Sequence, residues 1–304
     1  MASKFDSSDS VVSIVVTYFP DPGGLKNLLA ELSHQTDTVI TVDNSNDQNT
    51  LAMISERIPG NGILIDQKEN SGIAAAINCG IRQAQKQNAG YVVLFDQDSL
   101  PGPGMIQTLH SELQRHAQSG DKIAAVGPKY SDIKGELKSP FVRLDGRKLS
   151  RIECADDEVV QVDHLISSGC LISMAALQDI GEMEEELFID YVDTEWCLRA
   201  INKGYSLYGV GAAQMQHSLG DQLTTLFGRS HPVRGSLRYY YLIRNGIWVL
   251  RRPWISRSWR NMDRRRLFLI YIGCSLFIGS RFANWKMMTI GIWHSMTGRM
   301  GKYQ

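Results

Sequence analysis

Tyr91-Val-Val-Leu-Phe-Asp-Gln-Asp-Ser99 is the stretch on which the reading of this chain turns. An apolar run of this kind reads as a buried strand, and it ends directly in two aspartates one residue apart. Side chains alternate along an extended chain, so Asp96 and Asp98 can share one side of the strand end. Two carboxylates held that close repel each other unless positive charge lies between or beside them. A divalent cation that also carries a nucleotide diphosphate answers this, and hard oxygen ligands suit Mg²⁺ or Mn²⁺. A strand followed by a plain acidic turn is the alternative, so the surrounding sequence has to decide.

Toward the N-terminus, strand and helix signals alternate. Val11–Thr17 is β-branched except for Ser13, Leu25–Leu32 has helical spacing, Val39–Val42 is a second strand and Ile63–Ile65 a third. Helices are expected over about 73–87 and 104–118, with a further strand at Ile123–Val126. Such alternation predicts an α/β fold with a doubly wound, mostly parallel sheet. Ligands collect at the carboxyl ends of strands in such sheets. Thr17-Tyr18, Asp43-Asn44-Ser45 and Asp96-Gln97-Asp98 all fall there. Residues from about 129 to 162 are polar and irregular and read as an insertion or β-meander. From His164 a buried strand, a short helix, an acidic segment, a helix Asp193–Lys203 and a strand Ser206–Val210 lead to His217. A loop over about 218–235 then precedes two helical blocks.

The zero net charge conceals an asymmetry. Residues 1–221 hold 17 Lys+Arg against 31 Asp+Glu, whereas residues 222–304 hold 15 against 1. This divides the chain into an acidic body, 1–221, and a basic helical extension, 222–304, that seeks an anionic partner. Five of the six tryptophans lie in the extension, and Trp with Arg is what a membrane–water interface favours. Leu267–Ser280, the longest apolar run, has 14 residues between Arg264-Arg265-Arg266 and Arg281. A spanning helix needs about 20, so an in-plane, membrane-associating helix or a buried core helix is expected instead. The polar start MASKFDSSDS has no apolar signal core, and the five cysteines form no CxxC pair. Reduced thiols in a cytoplasmic protein follow from this.

Several side chains carry candidate chemistry. Pro20 and Pro22 after the first strand exclude a GxGxxG turn, there is no Walker A loop, and a sugar nucleotidyltransferase lacks its glycine-rich signature there. Asp43 can bond a base or ribose, or simply close an Asx-turn. Asn70-Ser71-Gly72 opens a helix whose free N–H groups suit a nucleotide phosphate, or is an ordinary N-cap. In Phe188-Ile-Asp-Tyr-Val-Asp-Thr-Glu-Trp-Cys-Leu-Arg199, Asp193 or Glu195 can take a proton from an acceptor hydroxyl. Alternatively, Asp190 and Asp193 cap the helix and Glu195 pairs with Arg199 at i,i+4. His217 is a possible nitrogen ligand beside the two aspartates, and Arg238 and Arg244 can grip phosphates. A nucleic-acid adaptor using the basic end would leave the carboxylates without purpose.

Taken in order, Val15-Val-Thr-Tyr18, Val42-Asp-Asn-Ser45, Asn70-Ser-Gly-Ile-Ala74, Phe95-Asp-Gln-Asp-Ser99, Leu187-Phe-Ile-Asp-Tyr-Val-Asp-Thr-Glu195 and His217 resemble family 2 inverting glycosyltransferases of the GT-A fold. Ile166-Ser-Ser-Gly-Cys-Leu171, Tyr239-Tyr-Tyr-Leu-Ile-Arg-Asn245 and the ending Gly291–Gly301 are similar to those of bacterial rhamnosyltransferases using dTDP-L-rhamnose. The resemblance covers about residues 11–301. It implies a nucleotide-sugar donor, a lipid-linked saccharide or glycolipid acceptor in cell-surface polysaccharide synthesis, and a place at the inner face of the membrane. It assigns Asp43 to base or ribose, Asp96 to ribose or metal, Asp98 to the metal, Asp193 to the catalytic base with Glu195 beside it, and His217 to an occasional metal ligand. Thr17, Asn70, Gly72, Asp190 and Arg244 would line the substrate site. Val192 stands where many relatives have Glu, which leaves the roles of Asp190, Asp193 and Glu195 to be divided. A galactofuranosyl or hexosyl donor is the nearest alternative.

Overall fold

The computed structural model describes residues 9–131, 138–145, 148–217, 223–226, 229–232 and 234–304. The polar residues 1–8 and parts of the expected meander and loop lie outside them. The alternation seen in the sequence runs β1 (Val11–Thr17), α1 (Pro22–Gln35), β2 (Thr38–Asp43), α2 (Gln48–Ser55), β3 (Gly62–Asp66), α3 (Ile73–Lys86) and β4 (Tyr91–Asp96). It continues as β5 (Ser99–Pro101), α4 (Met105–Gln118) and β6 (Ile123–Ser131). The middle is a meander: β7 (Lys138–Ser139), β8 (Phe141–Asp145), β9 (Lys148–Ile152) and β10 (Val159–Val162). Then come β11 (Leu171–Ser173), α5 (Met174–Ile180), a 3₁₀ turn (Glu185–Leu187), α6 (Val192–Asn202) and β12 (Ser206–His217). The expected loop contains a hairpin, β13 (Leu223–Leu226) with β14 (Arg229–Pro232). Three helices rather than two blocks follow: α7 (Ser236–Leu250), α8 (Arg257–Leu276) and α9 (Arg281–Thr297).

The sheet order is β10-β12-β6-β11-β4-β1-β2-β3, with β1, β2, β3 and β4 parallel and β11 inserted antiparallel between β4 and β6. Strand succession runs one way from β1 to β3 and then jumps to β4 on the other side of β1. Their carboxyl ends, Thr17 and Asp96, therefore flank a topological switch point, where open sheets form their crevice. Both faces are covered, which is why β1 is a nearly unbroken apolar run. One face packs Leu25, Leu28, Leu29 and Leu32 of α1 and Leu109 and Leu113 of α4. The other face packs α3, α5 and α6, and that core continues without a break into Tyr239, Leu242 and Ile243 of α7, Leu267 of α8 and Met288 of α9. The extension is thus part of the main core. α1 starts where Asp21 accepts from the Gly24 amide at 2.7 Å and Pro22 takes the first turn, which accounts for the prolines after β1.

β12 runs well past Val210. A bulge at residues 211–213 shifts its register against β6, and the strand then pairs antiparallel with β5, setting His217 opposite Ser99. All five cysteines are free and four are buried. Among the described residues no helix is long and apolar enough to cross a membrane.

Candidate active site

A cleft of about 990 Å³ opens at the switch point, and a smaller cavity of about 180 Å³ adjoins it at Tyr130, His164 and Ile166. The register of β12 on β5 decides one wall. Ligand-type atoms of Asp96, Asp98 and His217 come within 4.8 Å of one another. Ser99 Oγ lies 2.7 Å from His217 Nδ1, and Ser168 Oγ donates to Ser99 Oγ at 2.6 Å while accepting from the Asp96 amide at 3.2 Å. The two serines therefore fix the imidazole and the strand end that carries Asp96. Two carboxylates and one imidazole, braced from behind, are a donor set that fits Mg²⁺ or Mn²⁺. Burial pushes the Asp96 carboxyl up to about 6, with Asp98 and Asp193 adding to the rise and His217 and Arg238 opposing it.

Asp193 stands in the same cleft, on the first turn of α6. Burial raises its pKa, but the His164 imidazole, 3.5 Å away at Nε2, and the Thr194 amide and hydroxyl outweigh that, and the net direction is down. The result is an ionised, mostly buried carboxylate in the cleft lining, able to accept a proton. The segment before it is conformationally unusual: Phe188, Asp190 and Tyr191 have φ of +64°, +64° and +67°. Such backbone costs about 1–3 kcal/mol per residue and persists only where the surroundings hold it. Here Asn245 donates to the carbonyls of Leu187, Ile189 and Asp190, and Arg244 to those of Glu186 and Leu187. Arg234 and Arg238 pair with the Asp190 carboxylate at 3.1 and 2.6 Å. Tyr191 Oη donates to Asp263 at 2.7 Å and accepts from Arg266.

The structure brings Thr17, Asn70, Gly72, Asp96, Asp98, Asp190, Asp193 and His217 to the cleft lining. Asp43 lies beneath it, 1% exposed; its Oδ1 accepts from Thr17 and Ser45, and its Oδ2 has no partner among the described residues. A buried carboxylate oxygen with no donor is costly unless a ligand supplies one. Two expectations need correction. Glu195 is 2% exposed and faces away from the cleft, paired with Arg199 at 2.8 Å, because four residues along α6 set the two side chains on one inward face. Arg244 is fully buried against the 186–190 segment and the Gly301 carbonyl, so it positions backbone and does not reach a phosphate. The start of α3 is altered as well: Gly72, not Asn70 or Ser71, is its N-cap, its amide bonds Asn70 Oδ1, and the Ile73 amide bonds the Phe188 carbonyl. Those two N–H groups are therefore engaged within the protein. Nor do Asp190 and Asp193 cap α6, whose N-cap is Tyr191.

Sequence reasoning missed His164, Arg234 and Arg266, and gave Ser99 and Ser168 no role beyond the strings that contain them. His164 sits far from Asp193 in the chain, and no spacing signal joins them.

With this geometry in view, the comparisons with known proteins are consistent. The model of "Glycosyl transferase family 2" matches residues 13–181. A dTDP-rhamnosyl transferase of Shigella flexneri is 33% identical over 250 residues, covering 81% of each chain. A low-salt glycan biosynthesis hexosyltransferase of Haloferax volcanii is 24% identical over 246 residues, 78% of this chain and 76% of that one. Among solved structures, S. aureus TarS 1-349 in complex with UDP-GlcNAc superposes with a TM-score of 0.58 at 16% identity, over 94% of this chain and 81% of that one. GalNAc-T7 with UDP, GalNAc and Mn²⁺ gives 0.59 at 13% identity, over 93% of this chain and 55% of that one. These structures share the GT-A-type fold, and the chain belongs to glycosyl transferase family 2.

Proposed function

We propose that the protein is a metal-dependent inverting rhamnosyltransferase, moving L-rhamnose from dTDP-L-rhamnose to a lipid-linked saccharide or glycolipid acceptor. The observation that carries the reaction type is one cleft holding the Asp96, Asp98 and His217 group on one wall and ionised Asp193 on another. The donor reading is supported by the 33% identity to a relative named for dTDP-rhamnose.

In this mechanism Asp193 accepts the acceptor hydroxyl proton as the oxygen attacks the anomeric carbon. The bond from that carbon to the diphosphate oxygen breaks, its electron pair leaves with the diphosphate, and a single displacement inverts the centre. His164 holds the Asp193 carboxylate ionised and oriented. Asp98, Asp96 and His217 would hold Mg²⁺ or Mn²⁺, which as a Lewis acid neutralises charge on the departing diphosphate. Asp43 Oδ2 would accept from the base. Arg234 and Arg238 share the single Asp190 carboxylate and so leave net positive charge on the cleft wall, which would favour an anionic diphosphate there. The division at residue 221 is proposed as a functional one, with the body carrying the metal-site and base residues and the extension both closing one wall of the cleft and keeping the enzyme at the cytoplasmic membrane face.

The test is release of nucleotide diphosphate by purified protein across a panel of nucleotide sugars with Mg²⁺ or Mn²⁺, alongside Asp98→Ala and Asp193→Asn. Metal-dependent turnover of dTDP-L-rhamnose alone, lost in both variants, is expected. Turnover of a hexosyl donor instead would discard the rhamnosyl assignment and keep the mechanism.

A further inference from the structure

Of the twelve large apolar side chains that are well exposed among the described residues, nine lie between Phe268 and Met296. They are not scattered. At about 100° per residue, Phe268, Leu269, Ile272 and Leu276 fall within one narrow arc of α8. Phe282, Trp285, Trp293 and Met296 likewise share one side of α9. Exposure along the two stripes runs from 38% at Ile272 to 74% at Phe282, and Phe277 at the turn between the helices is 55% exposed. The helices lie side by side, joined by Tyr271 Oη and Thr289 Oγ1 at 2.9 Å. Their other faces are spent in the core: Leu267 and Cys274 of α8, and Met288 of α9. Gly291 lets α9 approach α7 so closely that a Cβ there would sit 2.8 Å from the Tyr240 carbonyl.

Charge singles out the occupant. Arg264, Arg265, Arg281 and Lys286 are exposed on or beside the stripes. Asp263, the one acid after residue 221, is 1% exposed and held by Tyr191 and Arg266. A second copy docking the same face would oppose two basic surfaces with no carboxylate between them. Aromatic and aliphatic side chains interleaved with Arg and Lys match an anionic lipid headgroup layer, in which the apolar stripe sinks about 5–10 Å.

We infer that the paired stripes of α8 and α9, from Phe268 through the Phe277 turn to Met296, form a docking face for an anionic lipid bilayer, lying in its surface. The same α8 places Arg266 in the cleft lining, and Arg266 with the buried Asp263 holds Tyr191, two residues before Asp193. The face therefore sits on the helix that walls the active cleft, and a lipid-borne acceptor is presented from that side. The acceptor clause rests on the transfer reading; the docking face does not.

The experiment is flotation of the full-length protein with vesicles of phosphatidylcholine, or phosphatidylcholine mixed with phosphatidylglycerol, for wild type, a Phe282→Ser/Trp285→Ser pair and an Arg264→Glu/Arg265→Glu pair. Wild type is expected to float with the anionic vesicles, less so in high salt. Each pair should weaken partitioning roughly tenfold or more, at unchanged Tm and unchanged donor hydrolysis in lipid-free solution. Absence of flotation, or flotation insensitive to both pairs, overturns the inference. So does a wild-type dimer in solution that the Phe282→Ser/Trp285→Ser pair makes monomeric. Vesicle binding together with turnover of a hexosyl donor in place of dTDP-L-rhamnose would keep the docking face and sink the rhamnosyl reading.

Discussion

His164 and Asp193 set the residue-scale chemistry. Because the imidazole counteracts the burial of Asp193, His164→Gln should let burial prevail and move that pKa up. The acid limb of kcat/KM should then shift to higher pH, with kcat down about tenfold and donor KM little changed. A pH–rate profile checks this, since a purely structural role would lower the whole curve without moving the limb. Asp193→Asn should cost about 10²- to 10⁴-fold in kcat. For Asp96 the sign runs the other way. Its carboxyl is pushed up to about 6, so in the metal-free protein a proton occupies it below that pH and competes with a cation. Affinity for Mn²⁺ should fall as pH is lowered through about 6 and level off above it. Titration of Mn²⁺ at several pH values measures this, with Asp98→Ala weak throughout.

At the scale of elements, the three left-handed residues before α6 are held by α7 rather than by their own sequence. Asn245→Ala removes three hydrogen bonds to that segment and leaves the Ile189 and Asp190 carbonyls without that donor, which should destabilise the fold by about 1–3 kcal/mol. Its kcat should fall more than donor binding suffers, because Asp193 loses its place; denaturant unfolding and steady-state kinetics separate the two. Gly72 meets the same segment from the other side: φ is +91° and a Cβ would lie 2.5 Å from the Phe188 ring. Most strands and helices were legible because their apolar periods are local. α2 was not, since this eight-residue helix buries only Ile54 and so shows no apolar stripe. The full length of β12 was hidden by its bulge, which breaks the alternation after Val210.

Across the whole molecule, the asymmetry of charge at residue 221 marks a change of surface and not a break in the core. Tyr239, Leu242 and Ile243 pack in one cluster with Ala76, Leu187 and Trp196. The intact chain should therefore unfold in a single thermal transition, and a chain ending at residue 235 should be insoluble or lack one. Scanning calorimetry of the full chain and circular dichroism of the shortened one test this; an independently folded 1–235 body would refute it.

What the sequence by itself determined is whatever depends on neighbours along the chain. Alternation and helical spacing predict the α/β order, and Asp96 and Asp98 share a strand end because two residues is the period of a strand. The motif strings identified the family, and the charge count located the basic face. Only the tertiary structure decided the rest. His217 reaches the aspartates through the pairing of β12 with β5, and His164 reaches Asp193 from a distant part of the chain. Glu195 and Arg244, polar and in promising motifs, turn inward to hold structure instead. Strand register, and the side of a helix that faces the core, follow from packing between segments far apart in sequence, and no local period encodes them.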